Sequence, residues 1–514
     1  MSDAETFQAG AARTSIEPPL GLPMLGFVRR YQTATGYGFP LEVTALALAR
    51  GEMKVILVGV DSALIAAPEV DQLRSRVADE TGARPAGVLL NWNHTHNAPP
   101  GSRSVVINGG IAAIDEFDGP TVAYMDVLHE KIVSAARLAC ERLEPARVVW
   151  GVGNLDENVN RREDTAEGNV TLGWDPDGLV DQQVTVLQAR RADESAICTV
   201  VGYGCHSVTL GPDTLFYSAD YPGPMRDAIR AWTGGEAVFL QAAGGNVLPR
   251  ISFGETEAEA VRLGRALALE ALHAVQGRTA WPTIIIRGQD SSEMAYSLYR
   301  FQPAEAKLPA LSAVEERCVF PLQSPPTAAQ ISSLRADLEA RLESARAARA
   351  GEGELNRIRF HLKWARRLEP QILAGEAAGS TAGPVHAFRI GDGAIVTGPG
   401  EVFTEIGMAV KERSPADVTL YCGYSNGAIG YLPTAKAIEE GGFEAGYAYR
   451  AFGHAANFAP ECERILVETG VRLTSTLFPE RPLPAVEGWR ASGRVPPPPE
   501  PPRHERPPPD HPVS

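Results

Sequence analysis

Short apolar, β-rich runs interleave with stretches of helical period along nearly the whole chain, and this pattern constrains the fold more than any other feature. "VTALALA" (43–49), "KVILVGVDSALI" (54–65) and "GVLLNWNHTH" (87–96) read as buried strands. "VAYMDVLHEKIVSAARLACERL" (122–143) carries apolar residues at helical spacing and predicts a helix. Strands return at "ARVVWGVGNL" (146–155), "QVTVLQAR" (183–190), "ICTVVGYGCHSV" (197–208) and "EAVFLQAAGGN" (236–246), and "TEAEAVRLGRALALEALHAV" (256–275) is again helical. Residues 326–374, rich in Ala, Leu, Glu and Arg, predict two antiparallel helices broken near "GEGE" (351–354); their apolar stripe is too irregular for a sustained coiled coil. "VHAFRIGDGAIVTGPGE" (385–401) predicts a hairpin turning at "GDG", followed by a strand in "VTLYCGYSN" (418–426) and a last helix over 459–474. The fold class expected is therefore α/β, a mixed β-sheet core with flanking helices and a helical-pair insertion. No linker divides residues 1–480, which read as one domain, and the sequence displays no internal repeat. The proline-rich tail over 481–514 cannot form a core and is expected to be disordered.

Composition narrows the function. The formal net charge of -15 repels phosphate backbones and anionic lipid, so neither nucleic acid nor a membrane surface is an expected partner. No stretch approaches the ~18 apolar residues a membrane helix needs. The first residues, "MSDAETFQAG", lack the basic and apolar regions of a secretory signal. Six scattered cysteines without a CxxC pair read as free thiols. The expectation is a cytoplasmic protein acting on a small molecule.

The strand ends carry the chemistry. His94 and His96 sit two apart at the end of an apolar run, and on an extended strand such side chains project to the same side. Ends of strands are where α/β folds place ligands. His206 ends a second β-run, Glu401 follows a Gly-Pro-Gly turn after a third, and Tyr431 follows a Gly- and Asn-containing turn after a fourth. Histidines with a carboxylate suit a catalytic zinc site, whereas chemistry alone makes Tyr431 an orienting hydroxyl. GxSxG, HExxH and phosphate-loop patterns are all missing, and "QAAGGN" (241–246) lacks the lysine and spacing of a nucleotide loop. His129, His273 and His361 fall in helical patterns, His386 starts a strand, and His454 in "AFGHAANF" is a candidate to approach the site.

These residues, taken in order, resemble the neutral/alkaline, non-lysosomal ceramidase family through its N-terminal catalytic domain. The resemblance runs from "AGAARTSIEPPLGLPMLGF" (9–27) to about residue 477, through "HTHNAPPG", "NVNR" (158–161), "GCHSV", "SADYPG" (218–223), "QAAGGNVLPR" (241–250), "PGE" (399–401) and "GYLPT" (430–434). It implies one zinc ion bound by His94, His206, Glu401 and Tyr431, with His96 as the proton-transfer group and Arg161 holding substrate or the developing oxyanion. Two positions depart from the family pattern: a serine there is Ala242 here, and a tyrosine there is Phe443 here. The family's signal peptide and C-terminal immunoglobulin-like domain also have no counterpart in this sequence. The function expected is zinc-dependent hydrolysis by activated water, most directly of an amide (N-acyl) bond in a substrate other than ceramide. An ester, lactone or glycosidic bond is the alternative, and a non-catalytic metal-binding interaction protein is the third.

Overall fold

Main-chain hydrogen bonding sorts the apolar runs into three sheets of the same build. The computed structural model describes residues 6–103, 117–281, 283–288, 298–303 and 307–484. In the first sheet, Phe7–Ser15, Glu42–Arg50 and Met53–Val60 pair antiparallel in chain order, and Val88–Trp92 adds parallel to Met53–Val60. The second sheet repeats this with Arg147–Asn154, Gln183–Arg190 and Ala196–Tyr203 antiparallel and Glu236–Gln241 parallel. The third does so with Leu311–Pro321, Ser380–Ile390 and Gly393–Thr397 antiparallel and Val418–Cys422 parallel.

Joining two parallel strands requires a crossover, and a helix supplies it each time. Ala67–Thr81, Pro222–Thr233 and Thr404–Glu412 occupy the three crossovers. A second helix then follows each parallel strand: Gly119–Glu141, Ala258–Val275 and Glu461–Leu477. Each of these packs back on the first two strands of its own sheet. The chain is thus a threefold repetition of one β-β-β-α-β-α unit, although the sequence displays no repeat. A repeated topology needs only a repeated order of apolar periods and turns, because ladder hydrogen bonds are made by the backbone whatever the side chain.

The sheets meet at the carboxyl ends of their parallel pairs. Asn91 is fully buried at that junction. Its amide nitrogen donates to the carbonyls of Gln241 (3.1 Å) and Gly423 (2.9 Å), and its amide oxygen accepts from the Gln241 N–H (2.7 Å). One side chain of the first unit thereby ties the strand ends of the other two.

The helical pair forms as expected, over Ala328–Ala347 and Glu352–Ala374. A capping box at Thr327 and Gln330 starts the first helix, and Leu338, Leu342, Ile358 and Leu362 fill the seam. The hairpin predicted over 385–401 turns at Gly391–Asp392. His386 lies inside the strand Ser380–Ile390 rather than at its start, because the strand begins six residues earlier. All six cysteines are free, and all but Cys140 are buried. Among the described residues no helix is long and apolar enough to cross a membrane. Residues 485–514, which hold most of the proline-rich tail, lie outside the described residues.

Candidate metal centre

The first strand pair ends at Trp92, so His94 and His96 leave the sheet before they are reached. The Asn93 and His94 N–H groups turn back to the carbonyls of Val60 and Ser62. His94 then adopts a left-handed backbone (φ 62°), a conformation uncommon for a residue other than glycine. The same-side projection of an extended strand is therefore not what joins the two rings. A tight turn does so, bringing His96 Nε2 to 3.2 Å from His94 Nε2. The turn is pinned from outside. Asp61, in a buried ion pair with Arg226, accepts from Asn93 Nδ2 (2.8 Å), and Arg30 donates to the His96 carbonyl (2.5 Å).

The other two units supply the partners. His206 follows Ala196–Tyr203, and Glu401 follows Gly393–Thr397 through Gly398, Pro399 and Gly400. Glu401 Oε2 lies 3.2 Å from His94 Nε2 and 3.3 Å from His206 Nε2. Glu401 pairs in parallel register with Tyr431, which brings the phenol beside the carboxylate. Gly245 is required here because a Cβ would stand 2.4 Å from the Glu401 carbonyl oxygen. The glycines of "QAAGGN" thus serve close backbone approach.

The donor set fits a metal ion. His94, His96 and His206 form a group whose ligand atoms lie within 4.8 Å of one another. His94 Nδ1 faces the Ala63 carbonyl (2.7 Å) and His206 Nδ1 the Gly244 carbonyl (2.8 Å). A ring that donates Nδ1–H to a carbonyl presents its Nε2 lone pair, the arrangement in which metal-binding histidines are held. Two such lone pairs face the buried Glu401 Oε2, which has no hydrogen-bond donor of its own. That crowding of acceptors is costly unless a cation lies among them. His96 differs, since its buried Nδ1 has no partner.

Electrostatics follow burial. Burial, with the Arg161 guanidinium, pushes His206 down to about 3. Burial and the neighbouring His94 and His206 rings hold His96 well below 6.5, hence neutral at physiological pH. Burial and the Glu401 charge hold the Tyr431 phenol far above its ordinary value.

A cavity of about 460 Å³ opens on this group. His96, His206, Arg161 and Tyr431 face it, along with apolar side chains that include Phe27, Leu248, Phe253 and Phe443. Arg161 is buried in an ion pair with Glu444 (2.6 Å), its Nη1 is 3.1 Å from His206 Nε2, and its Nη2 has no partner. Phe443 packs edge-on against Tyr431 with ring centres 5.7 Å apart. Ala242, by contrast, belongs to the core between the sheets. His454 donates to or accepts from neither the histidines nor Glu401; its Nε2 meets the Ile429 carbonyl, two residues before Tyr431.

Several residues of the site escaped the sequence. Tyr424, two residues beyond Val418–Cys422, packs tilted against His94 with ring centres 4.6 Å apart, and its hydroxyl is 3.4 Å from His206 Nδ1. The rule that singled out Glu401, a polar group just after a β-run, applies equally to Tyr424. Glu444 carries no local signal. Gly26 and Phe27 close over His96: a Cβ on Gly26 would stand 2.3 Å from the ring, and Phe27 meets it edge-on at 4.7 Å. Asp220, in the "SADYPG" segment, accepts from Thr209, Leu210 and Tyr221 and so folds the loop after His206.

Fold and site together define an α/β protein with a histidine–carboxylate group at the base of an apolar cavity. The same fold occurs in solved neutral ceramidases. The neutral ceramidase from Pseudomonas aeruginosa matches with a TM-score of 0.64 at 17% identity, over 93% of this chain and 75% of that one. A ceramidase complexed with C2 matches with a TM-score of 0.64 at 18% identity, over 93% of this chain and 76% of that one. No family model and no curated protein matches the sequence.

Proposed function

We propose that the chain is a zinc-dependent hydrolase that cleaves an amide bond in an N-acyl substrate other than ceramide. One observation carries this reading: two histidine Nε2 atoms with fixed tautomers face a buried carboxylate oxygen that has no donor, at the base of an apolar cavity. His94, His206, Glu401 and Tyr431 would hold one zinc ion. When bound, such an ion acidifies water and polarises a carbonyl.

The remaining roles belong to this chain's own groups. His96 is neutral, faces the cavity and has an uncommitted Nδ1, which suits taking a proton from water and passing it to the leaving amine. The unpartnered Arg161 Nη2 is a donor available to negative charge forming on the carbonyl oxygen, and Glu444 orients it. Ala242 offers no nucleophile, which favours direct attack by water. Phe443 offers no hydroxyl to the carbonyl oxygen, and the wall it forms is apolar.

Metal analysis of the purified protein, followed by turnover assays on N-acyl, ester, lactone and glycoside substrates, tests this proposal. Stoichiometric zinc and amide turnover are expected. His94→Ala should lose both, and His96→Ala should keep the metal and lose turnover. A protein that binds no divalent ion, or a fully active His96→Ala variant, refutes the assignment.

A further inference from the structure

The cavity is apolar, yet among the described residues every formally charged side chain that lines it is an arginine: Arg29, Arg161 and Arg357 face it, and no carboxylate does. This is a local inversion in a chain of net charge -15. The three arginines are not equivalent. Arg161 is neutralised at the base by Glu444. Arg29 is paired at the surface with Asp213 (2.7 Å), both side chains being well exposed. Arg357 is exposed and makes no ion pair among the described residues. Leu172 and Phe253, also partly exposed, share the wall with it, which places Arg357 at the mouth and the histidines at the base.

Arg357 reaches the mouth because the helical pair is docked there. Asn356 Nδ2 donates to the Val28 carbonyl (2.5 Å), fastening Glu352–Ala374 to the segment that also carries Gly26 and Phe27 over His96. The surroundings are cationic: Arg341 on the paired helix and Arg450 in Ala448–Phe452 join Arg357 in the field that adds to burial in holding His361 down to about 4. An uncompensated guanidinium above apolar walls is a strong site for an anion. Low-dielectric walls focus its field, and its planar fork matches a carboxylate.

We propose that the cavity selects amphiphilic anions, with the apolar body against Phe27, Leu248, Phe253 and Phe443 and a carboxylate held at the mouth by Arg357. This rests on the hydrolase reading for the placement of the scissile amide at the histidines, and it narrows the substrate to N-acyl compounds that carry a negative group remote from that bond. The helical pair is then a specificity element, because it delivers the charge that, among the described residues lining the cavity, has no ion-pair partner.

Calorimetric titration tests the inference without requiring turnover. The probes are decanesulfonate, a poor zinc ligand, and decyl methyl sulfoxide, an uncharged amphiphile of equal chain length, each titrated with and without chelator. The sulfonate should bind about tenfold tighter, a difference of about 1.4 kcal/mol, in both conditions. Arg357→Glu, a change on an exposed helix face, should abolish the preference, and Arg357→Gln should reduce it. Equal affinity of the two probes, or a preference that persists in Arg357→Glu, overturns the inference; persistence would place the anion at Arg161 instead. A protein that holds no metal yet shows the Arg357-dependent preference loses the hydrolase reading and keeps this one. Efficient cleavage of neutral N-acyl compounds, unchanged by Arg357→Glu, does the reverse.

Discussion

Asn91 is the residue whose removal most directly probes how the three units hold the site together. Its amide orientation is unambiguous, because only one satisfies two carbonyls and one N–H. Asn91→Ala removes all of these bonds at once. The Gly423 carbonyl keeps a partner, since Ser425 Oγ also donates to it (2.7 Å). The Gln241 N–H loses the acceptor that Asn91 provided at 2.7 Å. One buried donor left unpaired costs about 1–3 kcal/mol, and the lost packing of a fully buried side chain adds about 1 kcal/mol. Asn91→Ala should therefore destabilise the protein by roughly 2–4 kcal/mol, read as a lower urea midpoint at unchanged slope. Asn91→Asp keeps the acceptor for Gln241 but turns a carboxylate oxygen toward two carbonyls, so it should be at least as destabilising. Metal occupancy should fall with stability in both, since His94 lies three residues on. A loss below 1 kcal/mol for Asn91→Ala, with full metal occupancy, would refute the view that this side chain ties the units together.

Three further outcomes are expected. Glu444→Gln leaves Arg161 charged and buried without its counter-ion; breaking such a pair costs about 3–5 kcal/mol, so a urea titration should show a loss near the lower end and turnover should fall, while wild-type values for both would refute the pairing. Gly26→Ala forces a Cβ against the His96 ring at a left-handed position (φ 119°), so turnover should drop sharply while metal content, set by the other residues, stays near wild type. Burial pushes Glu405 up to about 7 despite two hydrogen bonds from Asn246. A carboxyl whose folded pKa is raised stabilises fully below its unfolded pKa, near 4.5, and loses that contribution as pH rises through about 7. Glu405→Gln should therefore match wild type near pH 4.5 and exceed it at pH 8, by at most about 3 kcal/mol, in denaturation curves at the two values; equal stabilities at pH 8 would refute the shift.

Much of the element pattern was legible because its signal is local. The helix at Ala258–Val275 and the strands Gln183–Arg190 and Val418–Cys422 follow from apolar period alone, and the hairpin turn at Gly391–Asp392 follows from its turn residues. The candidate donors stood out for the same reason, as polar groups immediately after apolar runs. His94 and His96 were paired correctly through the wrong geometry, since period 2 describes an extended chain and cannot anticipate a left-handed residue stabilised by contacts to Val60 and Ser62.

What the sequence alone determined is the strands and longer helices with a plain apolar period and the side chains that stand at the strand ends, because both depend on residues within a few positions of one another; the three crossover helices Ala67–Thr81, Pro222–Thr233 and Thr404–Glu412 emerged only in the structure. Only the tertiary structure decided that three units share one topology, that Asn91 joins their strand ends, and that Glu444 neutralises an arginine 283 positions away. It alone decided that Arg357 reaches the cavity mouth. Those relations are made by backbone pairing and by burial between segments distant in the chain, and neither leaves a local periodic trace.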